Sequence, residues 1–150
     1  MEFSELEQIR VNKLNILREK GIEPYPTRAN PTHTTQQAIQ AFEAIETTEQ
    51  ADPVEVVVAG RIRSMRSMGK LAFAHIEDQN GRIQLFLRVN EMGKEALDLF
   101  TEYYDIGDFV QAKGTMTRTR TGEVSILVDK LDMLAKAITP LPPAKDEIVD

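Results

Sequence analysis

The side chains best suited to chemistry lie between residues 71 and 88, where aromatic, basic and amide groups alternate with aliphatic ones. Successive side chains of a strand point to opposite faces, so residues of one parity share a surface. One face carries Ala72, Ala74, Ile76, Ile83, Leu85 and Leu87. The other carries Phe73, His75, Arg82, Gln84, Phe86 and Arg88. Aromatic rings can stack on unpaired nucleobases, arginines can bind phosphates, and an amide can hydrogen-bond to a base edge.

A β-hairpin is predicted to hold this surface in place. Asn80 and Gly81 tolerate the positive φ angles of a type I′ turn, so we expect a two-residue turn there. This turn pairs Gln79 with Arg82, Glu77 with Gln84, His75 with Phe86, and Phe73 with Arg88. The hydrophobic pattern supports this register, since a one-residue slip would place Ile76 and Ile83 on opposite faces.

The two phenylalanines also have a structural interpretation. Phe73 and Phe86 could lie beneath a helix or a loop and take no part in binding. The hairpin alone does not distinguish a covered pair of rings from a base-stacking surface. The pattern in the rest of the chain is needed to choose between these two interpretations.

Length and composition predict one globular domain with appendages. The chain has 150 residues, of which 41% are hydrophobic and 28% charged. No apolar run approaches the roughly 20 residues that cross a bilayer, and the N-terminus lacks the regions of a secretory signal. The absence of cysteine excludes disulfides and thiolate metal sites, and fits a reducing cytoplasm.

The charge distribution favours local binding of a polyanion. A net charge of −6 argues against nonspecific coating of nucleic acid. Basic residues nevertheless concentrate between residues 61 and 88 and in the segment 118–120: Arg61, Arg63, Arg66, Lys70, Arg82, Arg88, Arg118 and Arg120. An ordinary solvated surface is the alternative explanation for these arginines.

Two helices are predicted before the strands begin. Ser4 and Glu7 form a capping-box pattern, and the first helix is expected from about Ser4 to Lys20 with Gly21 ending it. Its apolar stripe is Leu6, Ile9, Leu14 and Leu17, and its basic strip is Arg10, Lys13 and Lys20. The second helix should start at about Thr35 and bury Ala38, Ile39, Phe42 and Ile45.

The remaining pattern predicts the order β-β-β-α-β-β. The first strand starts at Val54, the hairpin supplies two more, a helix runs from Glu91 to Tyr103, and two strands follow. The helix is expected to bury Met92, Ala96, Leu99 and Tyr103. The fourth strand turns Val110, Ala112 and Gly114 inward; the fifth turns Val124, Ile126 and Val128 inward and Glu123 and Ser125 outward.

This order is that of an OB-fold, a small Greek-key barrel. OB-folds commonly bind oligonucleotides on strands two and three and on the loops that join strands one to two and four to five. The hairpin occupies strands two and three, and both loops are basic here. The predicted fold and the composition of the outer face therefore both favour nucleic-acid binding. A barrel that binds an oligosaccharide or a protein is the main alternative.

Several segments resemble one known family. They are VAGRIRSMRSMGKLAFAHIEDQNGRIQLFLR, GTMTRTRTGE, LAKAITPLP, RVNKLNILREKGIEPYP and NPTHTT. Together they are similar to bacterial-type class II lysyl-tRNA synthetase over nearly the whole chain. The arrangement G-R-x-x-x-x-R-x-x-G-K and the D-x-x-G-x-I-Q hairpin are also similar to the aspartyl and asparaginyl enzymes.

The resemblance implies that the chain is the N-terminal anticodon-binding domain of such an enzyme. The middle anticodon base would stack on Phe73 and be read by Gln84 and Arg66, and Glu123 would contact the first base. The first helix would lie near the anticodon stem. Further contacts with tRNA are then expected from Arg10, Lys13, Arg61, His75, Arg82, Phe86, Arg118 and Arg120.

The chain is expected to divide into three parts. We expect residues 1–53 to form a helical extension, residues 54–135 the OB-fold, and residues 136–150 a proline-rich linker towards a catalytic domain that this chain lacks. That domain would bind lysine, ATP and Mg²⁺, so no catalytic residue, metal site or cofactor is expected here. The expected partner is the anticodon stem-loop of the lysine tRNA, together with a second subunit in a homodimer. A freestanding tRNA-binding or regulatory module is the alternative.

Overall fold

The computed structural model describes residues 4–20, 30–48 and 52–138, and contains four helices and five strands in that part of the chain. In chain order they are α1 (Glu5–Glu19), α2 (Thr35–Ile45), β1 (Glu55–Met68), β2 (Leu71–Glu77), β3 (Arg82–Arg88), α3 (Val89–Met92), α4 (Lys94–Tyr103), β4 (Phe109–Arg118) and β5 (Val124–Ala135). The predicted element order is confirmed apart from the division of one helix in two. Gly21, the expected end of the first helix, lies outside the described residues.

The strands close into a barrel in the order β1-β2-β3-β5-β4. All pairs are antiparallel except β3 with β5, which run parallel. Strand β1 pairs with β4 through its first half and with β2 through its second half, with a register shift between Ile62 and Ser64. Such an irregularity bends and twists a strand, which lets β1 serve both neighbours and close the sheet. The predicted five-stranded OB-fold is confirmed.

The inward faces of the strands form the core. The hairpin contributes its whole aliphatic set, as predicted: Ala72, Ala74, Ile76, Ile83, Leu85 and Leu87 are all buried. Strands β4 and β5 bury Val110, Ala112, Ile126 and Val128 against them. Gly114 faces β5 so closely that an added Cβ would lie 2.0 Å from the carbonyl oxygen of Leu127. Only glycine therefore fits there.

The register of the hairpin differs from the predicted one by two residues. Glu77 pairs with Arg82, His75 with Gln84, Phe73 with Phe86 and Leu71 with Arg88. Within the described residues only glycines have positive φ, so Asn80 cannot take part in a type I′ turn. The predicted pairs were wrong, but both faces keep their residues because a shift of two preserves the alternation.

Asp78 explains the turn that forms instead. Its carboxylate accepts hydrogen bonds from the backbone N–H groups of Asn80 and Gly81, at 2.8 and 3.0 Å. It also accepts the N–H of Thr35 at 2.9 Å and the Thr35 hydroxyl at 2.8 Å, at the start of α2. Burial raises the pKa of Asp78, but these hydrogen bonds outweigh it and leave the pKa below its usual value. The sequence-based interpretation missed this residue.

The helix between β3 and β4 is broken at Gly93. Glycine adopts φ = 87° there and separates α3 from α4, since few other residues tolerate this conformation. Helix α4 then buries Leu97 and Phe100 most deeply, while Leu99 and Tyr103 are partly buried. The predicted buried face was therefore rotated away from the real one.

Helix α1 packs against α4 through fewer apolar residues than expected. Its capping box between Ser4 and Glu7 is present, and Leu14 and Leu17 are buried. Leu6 and Ile9, predicted to be buried, are 46% and 47% exposed. Helix α2 begins at Thr35 as predicted and buries Ala38 fully.

The described helices include none that is both long enough and apolar enough to span a membrane.

Candidate nucleic-acid interface

Two neighbouring cavities open on the outer face of β2 and β3, and Phe73 lines both. The first, of about 450 Å³, is lined by Ser64, Met65, Arg66, Phe73, His75, Gln84, Thr121 and Glu123. The second, of about 530 Å³, is lined by Met68, Leu71, Phe73, Phe86, Arg88 and residues 117–121. The fold therefore brings the four residues with expected anticodon roles, Arg66, Phe73, Gln84 and Glu123, to the same cavity.

The two phenylalanines form a stacked pair on this face. Their ring centroids lie 4.9 Å apart with an angle of 12° between the planes. The guanidinium carbon of Arg66 lies 5.2 Å from the centroid of Phe73, and that of Arg88 lies 5.2 Å from the centroid of Phe86. Both rings are only partly buried, so the described residues do not cover them as the structural interpretation required. The result is an accessible aromatic strip bordered by cations.

Gln84 is held by a hydrogen bond to Ser125, which lies on the same outer face of the sheet. Its Nε2 donates to the Ser125 hydroxyl oxygen at 2.9 Å, and that hydroxyl donates to the carbonyl oxygen of Glu123 at 3.1 Å. Ser125 lies on the outward face as predicted, but it is fully buried there against Gln84. The parallel pairing of β3 with β5 makes Gln84 and Ser125 direct neighbours. Sequence alternation within one strand cannot reveal such a contact.

His75 links two walls of the first cavity. Its Nδ1 lies 2.9 Å from the Ser64 hydroxyl, and its Nε2 lies 2.5 Å from a carboxylate oxygen of Glu123. His75 thus connects β1 to the residue that precedes β5. The Glu123 carboxylate remains exposed and able to accept a further hydrogen bond.

The basic loop between β4 and β5 is anchored through Arg118. This guanidinium forms two hydrogen bonds to the Glu46 carboxylate, at 2.5 and 2.7 Å, and a third to the carbonyl oxygen of Gly122 at 2.7 Å. The hydrogen bonds from Arg118 hold the pKa of Glu46 below its usual value. Arg118 therefore shapes the loop, while Arg120 is exposed beside the second cavity.

Arg61 and Arg82 lie farther along the sheet. Both are cross-strand neighbours of Glu77, and Arg82 donates to its carboxylate at 2.8 Å. These two predicted contact residues are thus placed near the turn of the hairpin, and neither lines either of the two cavities.

Two of the three residues of the predicted basic strip on α1, Arg10 and Lys13, turn away from solvent, whereas Lys20 is exposed. Arg10 is only 8% exposed and donates to the carbonyl oxygen of Ala137 at 3.3 Å. Lys13 donates to Asp105 at 2.8 Å, in front of β4. The two cations therefore help to dock α1, and the expectation of a free basic surface formed by them is corrected.

No metal centre accompanies the cavities in the part of the chain that the structure describes, because no group of three or more His, Asp or Glu residues is close enough together there. The cavities offer amide, guanidinium and carboxylate groups beside an aromatic ring. Such a set can hydrogen-bond and stack, and it is suited to reading an unpaired base.

Comparison with protein families agrees with this geometry. A family model described as an OB-fold nucleic acid binding domain of the tRNA anticodon type matches residues 56–134. The match covers more than half of the chain and includes both cavities. The chain belongs to this family of anticodon-binding OB-fold domains.

Individual relatives show which kind of anticodon-binding protein the chain is similar to. The chain is 46% identical over 146 residues to the lysine–tRNA ligase of Roseiflexus castenholzii, a match that covers 97% of the chain and 29% of the ligase. It is 41% identical over 138 residues to the lysine–tRNA ligase of Thermosipho melanesiensis, covering 92% of the chain and 28% of the ligase. The chain therefore spans less than a third of the length of these relatives. The homology favours a ligase domain over a freestanding module.

Proposed function

We propose that this chain binds the anticodon stem-loop of the lysine tRNA on the outer face of β2 and β3. The observation that carries the proposal is the shared cavity of about 450 Å³ beside Phe73, which also contains Arg66, Gln84 and Glu123. One unpaired base can stack on the ring while its edge meets the polar groups.

The chemistry of the cavity suits a uridine at the middle position. The Watson–Crick edge of uracil presents an acceptor, a donor and an acceptor. Arg66 can donate to a carbonyl oxygen and the Gln84 amide can accept the N3–H, while the Glu123 carboxylate can accept an N–H of the first anticodon base. A base of the wrong pattern would leave buried polar groups unpaired, which costs more than a hydrogen bond contributes.

The remaining expectations concern the larger protein. We propose that the chain acts as part of a lysine–tRNA ligase in the cytoplasm, as a homodimer. The lysine, ATP and Mg²⁺ of the ligase reaction would be bound outside these 150 residues. The resemblance to the class II enzymes and the homology to the ligases support this assignment.

Titration of the chain with a fluorescent lysine anticodon stem-loop tests the proposal. Phe73→Ala and Gln84→Ala should each weaken binding by about 1 to 3 kcal/mol, as for a lost stack or base contact. Ile106→Ala removes a half-exposed side chain elsewhere and should not change the affinity. Binding should weaken steeply as salt increases, because phosphate contacts release counterions.

A stem-loop with its middle uridine replaced by cytidine provides the second comparison. Wild type should bind it more weakly than the parent stem-loop. Equal affinity for both stem-loops, or equal affinity of wild type and Phe73→Ala for the parent, would contradict the proposal.

A further inference from the structure

The hydrogen-bond chain from Gln84 through Ser125 to Glu123 determines which end of the Gln84 amide is free. A hydroxyl group has one hydrogen, and the Ser125 hydroxyl donates it to the carbonyl oxygen of Glu123 at 3.1 Å. The Glu123 carbonyl oxygen can only accept a hydrogen bond, so the hydrogen between these two groups must come from the Ser125 hydroxyl. The Ser125 oxygen therefore turns a lone pair towards Gln84, 2.9 Å away.

The Gln84 atom that faces Ser125 must accordingly be the donor, Nε2. The hydrogen-bond network thus favours one orientation of an amide whose two ends differ little in size. Ser125 is fully buried and Gln84 is 5% exposed, so water does not compete easily for this contact. The carbonyl oxygen Oε1 is the end of the amide that remains for a ligand in the cavity beside Phe73.

We infer that Ser125 is a positioning residue that makes the Gln84 site selective for a base with an N–H on its Watson–Crick edge. Uracil offers N3–H to the free carbonyl oxygen. Cytosine has an unprotonated N3 there, which places two acceptors against each other. The inference rests on the proposed function, because it assigns a selective role to a residue behind the base-binding surface.

Removal of the Ser125 hydroxyl should leave the fold intact. In Ser125→Ala, the Glu123 carbonyl keeps the N–H of Thr119 as a donor at 3.0 Å. The Gln84 amide loses its fixed partner and can rotate, so that either end faces the cavity. Selectivity should fall while stacking on Phe73 persists.

A double-mutant cycle with two stem-loops, carrying uridine or cytidine at the middle anticodon position, measures this effect. Ser125→Ala should lower the preference for uridine about threefold to tenfold, the range expected for one lost hydrogen bond. In a Gln84→Ala background the same change should have no effect on the preference, since Ser125 acts through that amide. Thr101→Ala, which removes a hydroxyl that donates to a backbone carbonyl on α4, is the control and should leave the preference unchanged.

A measurement without RNA tests the orientation of the amide separately. In the free wild-type chain, the side-chain NH₂ hydrogens of Gln84 should show a nuclear Overhauser effect to the Ser125 β-hydrogens. Absence of this effect overturns the inference, as does a loss of preference in Ser125→Ala that persists in the Gln84→Ala background, or no loss at all. A wild type that shows the effect but does not prefer uridine overturns the proposed function and the selective role of Ser125, while the orientation stands.

Discussion

The ring of Phe73 stacks on the ring of Phe86, its direct cross-strand partner, with 4.9 Å between the centroids. This pair results from the observed register of β2 and β3. The predicted register would have placed Phe73 opposite Arg88. The ring of Phe73, on which we propose that a base stacks, is thus itself stacked on the ring of Phe86. We therefore expect Phe86 to contribute to base binding through Phe73, even where Phe86 does not touch the base itself.

The coupling between the two rings can be measured by chemical unfolding. In a cycle of Phe73→Leu, Phe86→Leu and the double variant, the two changes should be non-additive by about 0.5 to 1.5 kcal/mol, the usual value for an aromatic pair. Phe86→Leu should also weaken stem-loop binding, since Phe73 loses its support. Additive effects on the free energy of unfolding would show that the rings do not stabilise each other.

Asp78 should contribute strongly to stability, although no binding role is expected for it. Asp78→Ala removes four hydrogen bonds that join the hairpin turn to the start of α2, and should cost about 2 to 3 kcal/mol in the free energy of unfolding. Asp129→Ala is a suitable control, because Asp129 is exposed on β5. A loss at Asp78 no larger than the control would contradict this role.

The depressed pKa of Asp78 also predicts the direction of the pH dependence. Burial opposes the charged form, but the hydrogen bonds from Thr35, Asn80 and Gly81 lower the pKa in the folded state. The unfolded chain therefore binds a proton at a higher pH than the folded chain does. This contribution is complete above about pH 5, beyond the ordinary aspartate pKa of about 3.9, and is lost as the pH falls through the folded value. Urea titrations at pH 3 to 6 should show a smaller decline for Asp78→Asn than for wild type.

Lys136 should be needed to compensate buried charge. Its ammonium group lies 2.7 Å from Asp108 and 2.8 Å from Asp105, and its side chain is fully buried, as is that of Asp108. Burial raises the pKa of Asp108 while Lys136 opposes that rise. Lys136→Met leaves the Asp108 carboxylate buried without its cation, and should cost about 3 to 5 kcal/mol.

Two variants make the Lys136 experiment specific. Lys130→Met alters an exposed side chain 4.0 Å from Asp132 and should change stability by less than about 0.5 kcal/mol. Adding Asp108→Asn to Lys136→Met should recover part of the loss, because it removes the uncompensated charge. Equal stability of Lys130→Met and Lys136→Met would rule out this role.

Gly114 should not tolerate even the smallest side chain. The Cβ of an alanine would lie 2.0 Å from the Leu127 carbonyl oxygen, and a backbone atom cannot move aside as a side chain can. Gly114→Ala should therefore cost about 1 to 3 kcal/mol, as overpacking usually does. Gly69→Ala separates the clash from backbone strain, because nothing lies near its added Cβ but its φ of +70° disfavours a side chain. Its loss should be smaller than that of Gly114→Ala. A thermal midpoint of Gly114→Ala as high as that of wild type would contradict the close contact.

The residues that share a face, and the order of the elements, follow from local patterns in the amino-acid sequence. Alternation has a period of two, so it separates Phe73, Gln84 and Phe86 from the aliphatic residues whatever their cross-strand partners are. The same logic explains why a two-residue error in the hairpin register left both faces correct. The helix starts at Ser4 and Thr35 could also be predicted from the sequence, since each depends on side chains within one helical turn.

Contacts between distant residues became visible only in the folded chain. Asp78 joins the hairpin turn to the start of α2, 43 residues earlier in the chain. The parallel pairing of β3 with β5 buries Ser125 against Gln84, and the docking of α1 turns Arg10 and Lys13 towards the barrel. These contacts join residues far apart in sequence, and a local pattern carries no information about them. The outer face was therefore readable from the alternation of residue types, whereas the hydrogen bonds that orient its groups were not.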